Sequence, residues 1–235
     1  RYSIQNPIGG DKPAARLRRA AYTGAGMILV GLTMLRQFNA ERQEWRGARG
    51  QRWVEFLDQC GLTPLYLPND PRVSMALVQS LRPQGLLLTG GGSCQALSGT
   101  ADTRDVTERV LLDLAENLRL PVLGVCRGMQ VMLTRAGGTL ERLAGHVGEH
   151  MINMQEQRRR VNSYHEYGFR EAPDGYRVLA LADDGVIEAV YDDHRRHTGI
   201  MWHPERELPA DPLDIQRVRH AFGCLLYTSP SPRDS

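Results

Sequence analysis

Four short apolar runs constrain this chain more than any other feature. They are MILVGLT at 27–33, TPLYL at Thr63–Leu67, GLLLT at Gly85–Thr89 and PVLGV at Pro121–Val125. A strand with one solvated face alternates apolar and polar residues. These runs are nearly continuous, so both of their faces are buried, as in a parallel sheet covered by helices on each side. The segments between them carry helical spacing. Trp53, Val54, Phe56 and Leu57 lie in 47–60, which Gly61 ends, and Val73, Leu77, Val78 and Leu81 follow Pro71. Asp102–Leu118 carries Val106, Val110, Leu111, Leu114 and Leu118 on one face, and a further helix follows from Arg127 to about Arg135. The second half changes rhythm, with strand-like runs at Val161–His165, Arg177–Ala182, Val186–Tyr191 and Thr198–Trp202, then an amphipathic helix at Leu213–Phe222. The pattern predicts a single α/β domain, a three-layer sandwich with a mostly parallel central sheet.

The 235 residues carry 29 Lys and Arg against 27 Asp and Glu, a net +2. Residues 1–26 alone are net +4, and 27–223 are net −2, so the mild basicity belongs to one end and makes no case for nucleic acid as a partner. No apolar run reaches the roughly 18 residues a membrane span needs. Cys60, Cys94, Cys126 and Cys224 are separated by 34, 32 and 98 residues, which fits neither a zinc CxxC pair nor a secreted disulfide framework. A reduced, cytoplasmic protein is the expectation. The domain is expected to start at Met27 and occupy 27–223. Residues 1–26 read as an upstream extension, and CLLYTSPSPRDS at 224–235 reads as the translation of a sequencing adaptor.

The chemistry concentrates at strand ends. Gly124-Val125-Cys126-Arg127-Gly128 lies between a strand and a helix and has the G-x-C-x-G form of a nucleophile elbow. Its glycines admit a turn too tight for side chains, and the following helix N-terminus favours a thiolate. A buried cysteine closing a core strand is the alternative for this motif alone. Trp202-His203-Pro204-Glu205 follows another apolar strand and offers a base with an orienting carboxylate. Thr89-Gly90-Gly91-Gly92-Ser93 offers unhindered backbone N–H groups for an oxyanion. All three fall at the carboxyl ends of strands, where open α/β sheets build their sites.

GVCRGMQ, VNSYHEYG and GIMWHPE, in that order, resemble the class I glutamine amidotransferase superfamily over about residues 27–222. The elbow and the Asn-Ser-Tyr-His segment are most similar to the γ-glutamyl-γ-aminobutyrate hydrolase (peptidase C26-like) and γ-glutamyl-CDP-amidate hydrolase branch. The resemblance implies a flavodoxin-like amidotransferase fold and hydrolysis of a γ-glutamyl amide through a cysteine thioester. It implies a Cys126–His203–Glu205 triad and an oxyanion hole from the backbone of Gly91 and Arg127. It implies that Gln130 and Ser163 contact the glutamyl part of the substrate and that His165 lines the pocket, with no cofactor. The alternative is a glutaminase subunit that delivers ammonia to a separate synthase partner.

Other residues rank lower. His146 and His150 in GHVGEH would share one face of a helix, but the neighbouring glycines disfavour a helix and the sequence offers no third ligand, so no metal is expected. They read as loop residues near the active site. Arg158-Arg159-Arg160 reads as a solvated hairpin tip, against the alternative of gripping a substrate phosphate. Cys94, beside the glycine loop, reads as a bystander thiol. Residues 36–50, 93–101 and 145–160 read as loops that choose the leaving amine.

Overall fold

The computed structural model describes residues 28–154 and 157–223; the two end segments and Met27 lie outside the described residues. The chain opens with β1 (Leu29–Thr33), a hairpin of β2 (Leu35–Asn39) and β3 (Glu44–Ala48), α1 (Arg52–Gln59) and β4 (Thr63–Leu67). Next come α2 (Pro71–Leu81), β5 (Gly85–Leu88), α3 (Gln95–Ser98), α4 (Thr103–Leu118), β6 (Val122–Val125) and α5 (Arg127–Arg135). A strand-rich half follows with β7 (Glu141–Arg142), β8 (Val147–Met154), β9 (Gln157–Tyr164), β10 (Tyr167–Gly168), β11 (Arg177–Ala182), β12 (Ile187–Asp192) and β13 (His197–Ile200). A 3₁₀ turn at Pro204–Arg206 leads to α6 (Pro212–Ala221).

The main sheet has nine strands in the order β4-β1-β5-β6-β13-β12-β11-β8-β9. Its first five run parallel, and the β13–β12, β12–β11, β11–β8 and β8–β9 pairs are antiparallel. Successive side chains of a strand point to opposite faces. Leu87 therefore packs with Trp53, Phe56, Leu57 and Val218 from α1 and α6, while Leu86 and Leu88 pack with Leu111 and Leu112 of α4 and Met129 and Leu133 of α5. That double burial is why the apolar runs lack alternation, and it makes the three layers.

Helix starts are set by local chemistry. Asp70 caps α2, accepting the Arg72 and Val73 N–H groups at 3.0 Å, with Pro71 in the first turn. Asp102 and Asp105 cap α4 reciprocally, an arrangement worth about 1 kcal/mol per cap.

Two segments depart from the sequence reading. The first helix starts at Arg52 rather than 47, because Glu44–Ala48 pairs with Leu35–Asn39. Phe38 and Trp45 stack across that hairpin at 5.0 Å, and Arg36 lies 3.4 Å over the Trp45 ring. The presumed loop at 145–160 is largely the β8–β9 hairpin, with residues 155–156 outside the described residues.

Candidate active site

The β6 ladder runs directly into Cys126, whose N–H donates to the Ile200 carbonyl at 2.7 Å. Cys126 then adopts φ 51° and ψ −108°, outside the comfortable regions for a side-chain-bearing residue. The residues two positions away on either side must be glycines. A Cβ on Gly128 would lie 2.1 Å from the Leu88 carbonyl oxygen, and one on Gly124 would lie 2.7 Å from the Gly128 carbonyl carbon. The tight turn seats α5 against the end of β5 and puts the thiol at a helix N-terminus, where the dipole favours negative charge.

His203 follows β13, the strand beside β6. Its Nδ1 lies 2.8 Å from Glu205 Oε1, and the short 3₁₀ turn holds the two residues in one piece. Burial pushes the imidazole down. Hydrogen bonding with Cys126 and Glu205, and the negative charge of both, outweigh it and lift His203 to about 9. The three residues are nearly inaccessible. Gly90 lies against both Cys126 and His203: a Cβ there would meet His203 Cε1 at 2.5 Å and Cys126 Cβ at 3.4 Å. Gly91 and Gly92 follow at φ 84° and 76°. The Arg127 N–H is the first of α5, where no intrahelical acceptor exists.

A buried ionic network beneath the site escaped the sequence reading. Arg104 Nη1 donates to the Gly91 carbonyl and Nη2 to the Thr89 carbonyl, both at 2.6 Å. The same guanidinium pairs with Glu108 at 2.9 Å, and Glu108 pairs with the Arg127 side chain, which also reaches Asp105 at 2.6 Å. Burial would raise the Glu108 carboxyl, but the two arginines hold it below the usual carboxylate range. The glycine loop and the elbow are thus bolted to one helix, α4. Charged residues interleaved with its apolar face gave no periodic signal.

Asn162 was also missed. Its Oδ1 accepts the His203 N–H, and its Nδ2 donates to the His203 carbonyl, each at 2.9 Å. The Tyr164 ring meets the His203 ring edge to face at 5.5 Å. Gln130 is buried with Nε2 donating to the Tyr167 carbonyl at 2.9 Å. The Ser163 hydroxyl donates to the His146 carbonyl. Arg158 and Arg160 are exposed on β9, beside Asp183 and Glu149, while Arg159 turns inward to Asp211 and Asp214. Cys94 is buried, and burial pushes its thiol up, which suits an inert thiol.

The structure corrects the reading of the histidines. His146 immediately precedes β8 and His150 lies on it, at an even strand spacing that puts both on one face. His165 and Glu188 of β12 supply the further donors that the sequence did not disclose, and one ligand atom from each of the four lies within 4.8 Å of the others.

The peptidase C26 family model matches residues 28–158 and 143–205. This chain belongs to the peptidase C26 family. The C26 chain is 28% identical over 126 residues to a γ-glutamyl-CDP-amidate hydrolase of Campylobacter jejuni, covering 53% of this chain and 63% of the relative. It is 32% identical over 144 residues to a glutamine-hydrolysing GMP synthase of Thermosynechococcus vestitus, covering 57% of this chain but 25% of that protein. The C26 chain therefore spans under two thirds of each. In fold it matches a glutamine amidotransferase of Thermotoga maritima with TM-score 0.60 at 13% identity, over 85% of this chain and 84% of the other. No helix among the described residues is long and apolar enough to cross a membrane.

Proposed function

We propose that this C26-family protein hydrolyses the γ-glutamyl amide bond of a small molecule, releasing glutamate and an amine. One observation carries the reading. Cys126 sits at a strained φ of 51° on a strand-to-helix turn, and His203 joins it to Glu205 by hydrogen bonds on either side. A buried residue held in that conformation needs a reason, and nucleophile presentation supplies one.

The Cys126 thiolate attacks the γ-carbonyl carbon. The developing oxyanion is received by the N–H groups of Arg127 and Gly91. His203, as imidazolium, gives its proton to the departing amine, and the C–N bond breaks to leave a γ-glutamyl thioester. Neutral His203 then takes a proton from water, whose oxygen attacks the thioester. Thiolate leaves and glutamate is released. Glu205 holds Nδ1 and keeps the imidazole oriented throughout. Gln130 and Ser163 are assigned to the glutamyl end; each spends one donor internally, and each keeps an acceptor to offer.

The test is glutamate release from glutamine, γ-glutamyl-aminobutyrate, γ-glutamyl peptides and a nucleotide-linked γ-glutamyl amide. Catalysis is expected with at least one, led by the nucleotide-linked amide on the similarity to the Campylobacter hydrolase. The Cys126→Ala variant should lose more than about 10³-fold in turnover. Unaltered turnover in that variant, or release from none of the substrates, sinks the reading. A second reading rests on the similarity to GMP synthase: a glutaminase whose ammonia serves a synthase. It requires that glutamine turnover rise on adding a synthase protein.

A further inference from the structure

The β8–β9 hairpin carries a second cluster that the proposed chemistry does not use. β8 pairs with β11 only through Ile152–Met154, so its first half runs past the β11–β12 turn towards Glu188. Glu188 Oε1 lies 3.3 Å from His146 Nδ1, 3.2 Å from His150 Nε2 and 3.4 Å from His165 Nε2. Glu188, His146 and His165 are at least 95% buried. We propose that His146, His150, His165 and Glu188 form a transition-metal site, with Zn²⁺ the ion its donors fit best.

The spacing supports coordination. Four ligands at the usual zinc bond lengths of about 2.0–2.1 Å stand about 3.3 Å apart along the edges of a tetrahedron. The three distances above match that edge. The same contacts are poorly aligned for hydrogen bonding. Among the described residues, both Glu188 oxygens, both ring nitrogens of His150 and of His165, and Nδ1 of His146 lack a hydrogen-bond partner. A buried carboxylate that takes no aligned hydrogen bond, facing His150 and His165 with both ring nitrogens unpaired and His146 with Nδ1 unpaired, is costly on every side. One divalent cation among them satisfies all four groups, with the imidazoles neutral and their lone pairs inward.

The outer contacts agree. His146 Nε2 is 3.2 Å from Asp184 Oδ2. A metal-bound histidine characteristically donates its other ring N–H to a carboxylate, which fixes the tautomer with Nδ1 free to ligate. The donor set of three imidazoles and a carboxylate suits zinc rather than calcium or magnesium.

The site ties β8 and β9 to β12, and its role is structural. Ser163 donates to the carbonyl of the ligand His146, and the adjacent Asn162 brackets His203. The metal therefore fixes the strand that positions His203, without touching the reacting atoms. This assignment does not depend on the proposed reaction.

The test uses tag-free full-length protein in the Cys126→Ala background, so that the proposed nucleophile cannot compete for metal. After chelator treatment, Co²⁺ should bind at one equivalent and give the intense visible absorption of a tetrahedral site, and Zn²⁺ should displace it. Asp184→Asn should weaken binding by about 10–100-fold while the protein stays folded. Glu188→Gln and His165→Ala should abolish the cobalt spectrum. Failure of chelated protein with an otherwise native sequence to bind stoichiometric Co²⁺ or Zn²⁺ overturns the proposal, as does undiminished binding in Glu188→Gln. The first of these outcomes needs no ligand variant to fold, and neither bears on glutamate release by the protein carrying Cys126.

Discussion

Asn162 grips the main chain of His203 from both sides, accepting its N–H and donating to its carbonyl at 2.9 Å each. The imidazole is aimed by a strand at the edge of the sheet as well as by the strand it follows. Asn162→Ala leaves the Cys126, His203 and Glu205 side chains intact but frees this backbone. An ångström of misplacement at a reacting group costs about 10²-fold in rate. Turnover should fall by about that factor with a smaller change in KM. Steady-state kinetics with an unaltered kcat would remove Asn162 as a positioning residue.

The buried network makes a stability prediction. Glu108→Gln removes the carboxylate shared by Arg104 and Arg127 and leaves two buried guanidinium groups under-compensated. Breaking a buried pair in this way costs about 3–5 kcal/mol, which is about 6–20 °C in melting temperature for a domain of this size. Calorimetry checks it. A shift of under about 2 °C would mean the network holds the glycine loop and elbow without holding the fold.

The elevated His203 sets a pH dependence. Its folded pKa of about 9 lies above its ordinary 6.5, so the folded state binds the proton more tightly. That contribution is fully present below about pH 6.5 and is lost as pH rises to about 9, an amount on the order of 3 kcal/mol. Melting temperature should fall across this window. In Cys126→Ala the fall should shrink, because one of the partners that raises His203 is gone. Equal slopes in the two proteins would contradict the coupling of thiol and imidazole.

Gly128→Ala tests the elbow sterically. Its Cβ would meet a backbone carbonyl oxygen at 2.1 Å, which no rotamer change relieves. The cost should be about 3 kcal/mol or more, the upper range of overpacking. Chemical denaturation measures it. Gly137→Ala is an instructive contrast, because its Cβ meets nothing within 4 Å and its penalty comes from φ 93° alone.

The legible parts were those encoded locally. Continuous apolar strands announced double burial, and the Gly124–Gly128 and His203–Glu205 spacings announced a tight turn and a histidine paired with a carboxylate. The β2–β3 hairpin stayed hidden because LRQFN and EWRGA are polar, with burial confined to a few positions. β8 stayed hidden because Gly145 and Gly148, at φ 81° and 119°, read as a loop. Arg104 and Glu108 gave no signal, since nothing in a sequence says which charges face partners 15 to 75 residues away. His165 and Glu188 belong to strands whose neighbours are set by sheet order, so their convergence on His146 and His150 exists only in three dimensions.

The β6–β13 ladder has a consequence for how this protein fails. Gly124 pairs with Gly199 and Val125 with Ile200 in the middle of the sheet, and the next rung is the Cys126 N–H itself. His203 and Glu205 leave that same strand three and five residues after Ile200. The three groups proposed to react are therefore not mounted on a lid or a fraying margin. They can separate only when the centre of the domain opens, so hydrogen exchange at Cys126 should be as slow as whole-domain unfolding allows. Heat or denaturant should take away catalysis and structure at one midpoint, with no folded but inactive species between.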